Sequence, residues 1–194
     1  MQNVVREAIE EIEKAAQNSD GISGVPTGFH ELDKITAGWQ RSDMIVLAAR
    51  PGMGKTAFAL TMARNIAITH ETAIGFFSLE MSSEQLVSRL IASEAELSAS
   101  KLRKGDLQDF EMVQLHEKIK QLSEAQIYID DTPALTIFEL RAKARRLVKN
   151  HNVGIIVIDY LQLMSAGGKS GNREQEISTI SRSLKGIAKE LKIP

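Results

Sequence analysis

Eight consecutive residues carry the densest chemistry in this sequence: Ala49-Arg50-Pro51-Gly52-Met53-Gly54-Lys55-Thr56. They match the phosphate-loop pattern G-x-x-x-x-G-K-[ST], with Ala49 at the first glycine position. Gly52 and Gly54 let the backbone curl so that several N–H groups point at phosphate oxygens. A helix opening at Lys55 adds the positive end of its dipole to the same anion. Lys55 is placed to reach the outer phosphates as a point charge, and the Thr56 hydroxyl to ligate Mg²⁺. The residues expected to hold the nucleotide are Arg50, Pro51, Gly52, Met53, Gly54, Lys55, Thr56 and Ala57.

Two carboxylates complete the candidate chemistry. Asp159 ends the apolar run Ile155-Ile156-Val157-Ile158. An aspartate there holds Mg²⁺ directly or through water, sharing the metal with Thr56. Glu80 ends the run Ala73-Ile74-Gly75-Phe76-Phe77-Ser78-Leu79. A carboxylate at that strand tip orients and deprotonates a water that attacks a γ-phosphate. Glu80 and Lys55 are thus the expected catalytic residues.

Positioning these groups requires strands that end side by side. Met44-Ile45-Val46-Leu47-Ala48 is expected as the first strand, leading into the phosphate loop and a helix to about His70. Strands follow at 73–79, 126–130 and 154–159, the last apolar throughout and expected to be covered on both faces. Ser82 or Ser83 caps the helix after Glu80. Residues 98–123 read as a short and a long helix divided at Gly105-Asp106. Thr136 starts a helix bearing Arg141, Lys143, Arg145, Arg146 and Lys149, and a final helix runs from about Arg173 to Leu191. Strands alternating with helices imply right-handed crossovers, an α/β sandwich and a ligand at the carboxyl ends of the strands.

Near the amino terminus, Val5, Ala8, Ile9, Ile12 and Ala15 recur at helical spacing, an amphipathic helix of about four turns. A helix that short is marginal alone in water, so its stripe must dock on its own domain or on a neighbouring subunit. Residues 21–43 are rich in turn signals, with a short helix around Leu32 and Ile35. From Ser165 to Asn172 the chain is a Gly/Ser/Lys loop. Lys169, Arg173 and the amides of Gly167, Gly168 and Gly171 make it the better candidate for a nucleic-acid strand. The basic helix 141–149 reads mainly as a solvated face.

The 194 residues suit one domain, and a hydrophobic content of 43% suffices for a core. There is no cysteine, which excludes disulfides and thiolate metal sites. The four histidines lack ligand spacing. The start has no signal-peptide character and no run approaches a membrane span, so a cytoplasmic protein with no membrane partner is expected. A net charge of −1 announces no nucleic acid globally. Any such contact must come from a local loop or patch, or from a ring of subunits.

Five stretches resemble the bacterial replicative DNA helicases of the DnaB family, in their RecA-like motor domain. They are Thr27-Gly28-Phe29-His30-Glu31-Leu32-Asp33, Ala48 to Thr56, Phe77-Ser78-Leu79-Glu80-Met81-Ser82, Ile158-Asp159-Tyr160-Leu161-Gln162-Leu163-Met164, and Arg173 to Ser178 with Ser181 to Lys185. The resemblance implies a RecA-like P-loop NTPase with a mainly parallel sheet flanked by helices. It implies ATP and Mg²⁺ as ligands, single-stranded DNA as track, a homohexamer in the full-length protein, and primase and a helicase loader as partners. It identifies Glu80 as the catalytic glutamate and residues 165–173 as similar to a central-channel DNA loop. Residues 1–20 look like a linker helix and loop docking on the adjacent subunit, and 21–194 like a partial ATPase domain. The family's amino-terminal domain and everything after Pro194, including a trans-acting arginine finger, are expected to be missing. The sheet is then incomplete at the C-terminus, with a gap between the 44–48 strand and the Asp159 strand, and the chain by itself hydrolyses ATP weakly. A usual Pro-Gly turn is here Arg41-Ser42. The alternatives are a RecA/RadA-like recombination ATPase and a nucleotide-holding oligomerisation or loader-binding module.

Overall fold

The computed structural model describes residues 1–2, 5–6, 9–10, 12–13, 21–165 and 172–194. Within them the order is α1 (His30–Thr36), α2 (Lys55–Ile68), β1 (Ile74–Ser78), α3 (Ser83–Glu94), α4 (Ala99–Lys104), α5 (Asp109–Glu124), β2 (Ile127–Asp130), α6 (Ile137–His151), β3 (Ile155–Asp159), a 3-10 turn (Leu161–Leu163) and α7 (Arg173–Leu191).

The sheet has three strands in the order β2-β1-β3, all parallel. β1 is central and every residue of it is buried. Because side chains alternate along a strand, β1 feeds two cores. Ile74 and Phe76 join Leu60, Ala63 and Ile66 of α2 with Leu86 and Leu90 of α3. Phe77 joins Leu135, Leu140, Met164, Ile180 and Ile187 on the α6–α7 side. This is a three-layer α/β arrangement, with the carboxyl tips of all three strands on one edge.

Local chemistry sets the helix ends. Ser82 caps α3 and Thr136 caps α6, each with a reciprocal capping box, to Gln85 and Glu139. Gly105, at φ 68°, ends α4 in the left-handed region and separates it from α5. In the turn region before the phosphate loop, the Asp33 carboxylate accepts from the backbone N–H groups of Thr27 (2.8 Å) and Gly28 (3.1 Å), tying α1 to its own approach. Asn65 of α2 donates to the Gly28 carbonyl at 3.4 Å, and Phe29 stacks on Phe58 with centroids 4.8 Å apart. Arg64 of α2 forks onto Glu94 of α3 at 2.5 and 2.9 Å, and that partner holds the carboxyl below the usual range.

Two expectations are corrected. Met44 to Ala48 forms no strand: the stretch is irregular, and Met44, Ile45, Val46 and Leu47 are 36–65% exposed. A strand needs a ladder partner, and no described strand lies beside this one. The apolar run is present, but no described strand pairs with it. β3 is likewise only half-buried along Ile156, Val157 and Ile158. It has β1 on one side, and on the other, among the described residues, one backbone bond, from Ile156 N–H to the Pro194 carbonyl at 3.1 Å.

The stripe at the amino terminus is partly visible. Gln2, Val5, Arg6, Ile9, Glu10, Ile12 and Glu13 are helical. Val5, Ile9 and Ile12 are 50%, 49% and 67% exposed, so this side is not covered by the rest of the chain. Ala8 and Ala15 lie outside the described residues.

Arg41-Ser42 is the centre of a turn closed by the Asp43 N–H to the Gln40 carbonyl at 3.2 Å. Ser42 sits at φ 66°, which favours glycine at the third turn position, with proline at the second. Holding an L-residue there costs about 1–2 kcal/mol. Ser42→Gly is therefore expected to raise the unfolding free energy by about 0.5–1 kcal/mol, after allowing for glycine's larger unfolded-state entropy. A urea melt giving equal or lower stability for the variant would count against this account. The Lys185 bond to the Ser42 carbonyl (2.9 Å) uses backbone and survives the change.

Candidate nucleotide site

The phosphate loop enters α2 without help from any side chain. Gly54 is the N-cap, no side chain caps the helix, and its first turn contains no acidic residue. The leading N–H groups of α2 are thus left for an anion. Gly52 and Gly54 have φ of 77° and 85°. A methyl group at either meets no atom within 4 Å, so glycine serves the backbone conformation here, not a tight contact. Arg50, Pro51, Gly52, Met53 and Gly54 are exposed, as is Ala57. The Met53 N–H donates to the Arg50 carbonyl at 3.2 Å, closing a turn inside the loop.

Lys55 and Thr56, at the start of α2, meet Asp159 at the end of β3. The Thr56 hydroxyl donates to Asp159 Oδ2 at 2.6 Å, and Lys55 Nζ stands 3.4 Å from Asp159 Oδ1. Residues 103 apart in sequence are thus joined at one strand tip. Asp159 is only 5% exposed, so its charge is held where water competes weakly. Lys55 also lies over the Tyr160 ring, 4.1 Å from its centroid, a cation–π contact.

Hydroxyl and carboxylate oxygens are the donor set magnesium prefers. Among the described residues no group of three or more His, Cys, Asp or Glu is placed to hold a metal alone. That suits an ion that keeps water and phosphate oxygens as its remaining ligands. Thr56 and Asp159 therefore fit Mg²⁺ delivered with a nucleotide.

Glu80 is exposed, two residues past the end of β1. The tips of β1 and β3 are in register, Ser78 opposite Asp159, and the Leu79 N–H donates to the Asp159 carbonyl at 2.8 Å. The Glu80 turn and Asp159 are therefore linked through one backbone bond.

The nucleic-acid candidates divide. Lys169, with Gly167, Gly168 and Gly171, lies outside the described residues. Arg173 opens α7, and its guanidinium is engaged by the Glu176 carboxylate and the Gln162 carbonyl. On α6, Arg141 and Arg145 both pair with Glu190 of α7, and Lys143 pairs with Asp130 of β2. Those cations serve to bind helices and sheet together.

Two residues near the site escaped the sequence reading. Tyr160 was available as the neighbour of Asp159, but only the fold puts its ring under Lys55. Asp131, which accepts from the Ser83 N–H at 2.7 Å, belongs to a turn whose Asp-Asp-Thr-Pro composition suggests only a loop.

The sequence matches the family model of the DnaB-like helicase C-terminal domain over residues 24–194. It is 47% identical to the replicative DNA helicase DnaC of Bacillus subtilis over 195 aligned residues, covering 100% of this chain and 43% of that protein. It is 51% identical to the replicative DNA helicase DnaB of Geobacillus stearothermophilus, covering 91% of this chain and 39% of that one. A solved chain described as a DnaB-like replicative helicase, with its interactions with primase, superposes with a TM-score of 0.86 at 36% identity, over 100% of this chain and 46% of its own length. The chain thus spans less than half the length of each of these relatives. Among the described residues no helix is long and apolar enough to cross a membrane. The parallel sheet, the phosphate loop facing Asp159 and a family match over nearly the whole chain agree: this chain belongs to the DnaB-like helicase C-terminal domain family.

Proposed function

We propose that this domain is the ATP-hydrolysing motor of a replicative DNA helicase, driving movement along single-stranded DNA during replication. The observation that carries the reading is the convergence of Thr56 and Lys55 on Asp159, at 2.6 and 3.4 Å. In this reading the loop from Arg50 to Ala57 cradles the phosphates of ATP. Lys55 leaves Asp159 and Tyr160 to meet the outer phosphates, and Thr56 and Asp159 hold Mg²⁺. The bound ion supplies positive charge to the phosphate oxygens. Glu80 orients a water and takes its proton. The water oxygen bonds to the γ-phosphorus as the bond to the bridging oxygen breaks, and ADP departs with that electron pair. Assembly as a hexamer and contacts with primase and a loader are part of the same proposal. Support comes from the family and from a relative solved as a replicative helicase with its interactions with primase.

The test is equilibrium binding of a fluorescent ATP analogue with Mg²⁺, wild type against Lys55→Ala. A charge-assisted contact to phosphate is worth about 1.5–3 kcal/mol. Affinity should therefore fall by about 10–150-fold, and forked-DNA unwinding by the full-length protein should disappear with it. Unchanged binding in the variant would remove Lys55 from the phosphate site and the motor reading with it.

A further inference from the structure

Glu80 is held through the turn it sits in and not through its own side chain. Among the described residues its carboxylate has no hydrogen bond and no ion pair, and the side chain is exposed. Yet a general base has to stand within about 3 Å of the proton it removes. What fixes it is the short connection from β1 to α3, Leu79-Glu80-Met81-Ser82.

Four hydrogen bonds pin that connection at three places. At its start, the Leu79 N–H is held by the Asp159 carbonyl at 2.8 Å. Within it, the Ser78 hydroxyl donates to the Met81 carbonyl at 2.7 Å and accepts from the Met81 N–H at 3.2 Å, so one buried side chain closes a loop around Glu80. At its end, the Ser83 N–H donates to Asp131 Oδ2 at 2.7 Å. The bonds at the first two places involve strands β1 and β3. The bond at the third reaches the turn after β2, 48 residues away.

That turn is itself anchored. Lys143 of α6 holds both oxygens of Asp130, at 2.8 and 2.6 Å, and the Thr132 hydroxyl at 2.6 Å. Asp130 is thereby occupied, and Asp131 is the carboxylate presented to the start of α3. There it meets the positive end of the helix dipole as well as the Ser83 N–H. The Ser83 bond holds the Asp131 carboxyl below the usual carboxylate range.

We infer that Asp131 and Ser78 are positioning residues for hydrolysis: they brace the two ends of the Glu80 turn so that the carboxylate faces the phosphate site. This rests on the motor reading of Glu80 given above. A helix cap alone would stabilise α3 and leave turnover untouched, whereas a brace acts on turnover and leaves ATP affinity untouched.

The experiment is steady-state ATP hydrolysis by the full-length protein, with kcat and KM separated and thermal melts in parallel. Asp131→Ala should lower kcat about tenfold with KM unchanged. Asp131→Asn, whose amide oxygen still accepts from the Ser83 N–H, should restore most of kcat. Ser78→Ala should reproduce the kcat loss, and Asp131→Ala in a Glu80→Gln background should cause no further loss. Wild-type kcat in both Asp131→Ala and Ser78→Ala, with Glu80→Gln inactive, overturns the brace alone. A fall in kcat that tracks a lower melting temperature and is not rescued by Asp131→Asn overturns it too. Full turnover by Glu80→Gln overturns the motor reading, and the brace with it.

Discussion

A Glu80→Gln protein should bind Mg²⁺–ATP with the affinity of the wild type and hydrolyse it about 10²–10⁴ times more slowly. Glutamine keeps the length of the side chain and can still hydrogen-bond a water, but it cannot take the proton. The site supports a clean separation of the two effects. Lys55, Thr56 and Asp159, the groups proposed to grip phosphates and metal, make their contacts without Glu80. Glu80 itself has no hydrogen-bonded or charged partner among the described residues, so the substitution strands nothing. Phosphate release in single-turnover conditions by the full-length protein, beside nucleotide titration, is the measurement. Hydrolysis within a fewfold of wild type would move the general base elsewhere.

The second large effect lies in the core. Phe76→Ala should cost about 3–5 kcal/mol, the sum of lost transfer energy and the cavity left behind. Phe76 is 0% exposed on the central strand and packs in the cluster that joins β1 to α2 and α3. Domains of this kind are stable by only about 5–15 kcal/mol. The variant should therefore unfold at a markedly lower urea concentration, and the phosphate loop, which hangs from α2, should lose nucleotide at the same point. Phe110→Ala on α5 is the control. That ring is 68% exposed, and its removal should change stability by no more than about 0.5 kcal/mol. Equal losses for the two variants would mean that the Phe76 cluster is not the core.

Much of the local geometry of the candidate site was legible because short-range rules govern it. The turn proposed to cradle phosphates has Gly52 and Gly54 at positive φ, and Lys55-Thr56 follow at the helix start. The Ser82 and Thr136 caps, the break at Gly105 and the span of α7 each follow from a residue whose conformational preference is local. The apolar runs ending at Ser78, Asp130 and Asp159 became parallel neighbours because β-branched and aromatic runs separated by helices have few other arrangements. In these elements residue identity and near neighbours decide the outcome, and reading the chain is enough.

The run from Met44 to Ala48 marks where that reasoning stops. Its residues are as strand-like as those of β3, yet it is irregular and open to water, because a strand exists only with a partner and no described strand supplies one. The same holds for every long-range contact at the site. Residue types nominated Lys55, Thr56, Asp159 and Glu80 one by one. Only the folded sheet, with β1 between β2 and β3, brought Thr56 within 2.6 Å of Asp159, set Tyr160 beneath Lys55, and placed the turn of Asp131 against the helix that follows Glu80. Pairings across a hundred residues depend on sheet order and on which layer each helix joins, and those are properties of the packed whole.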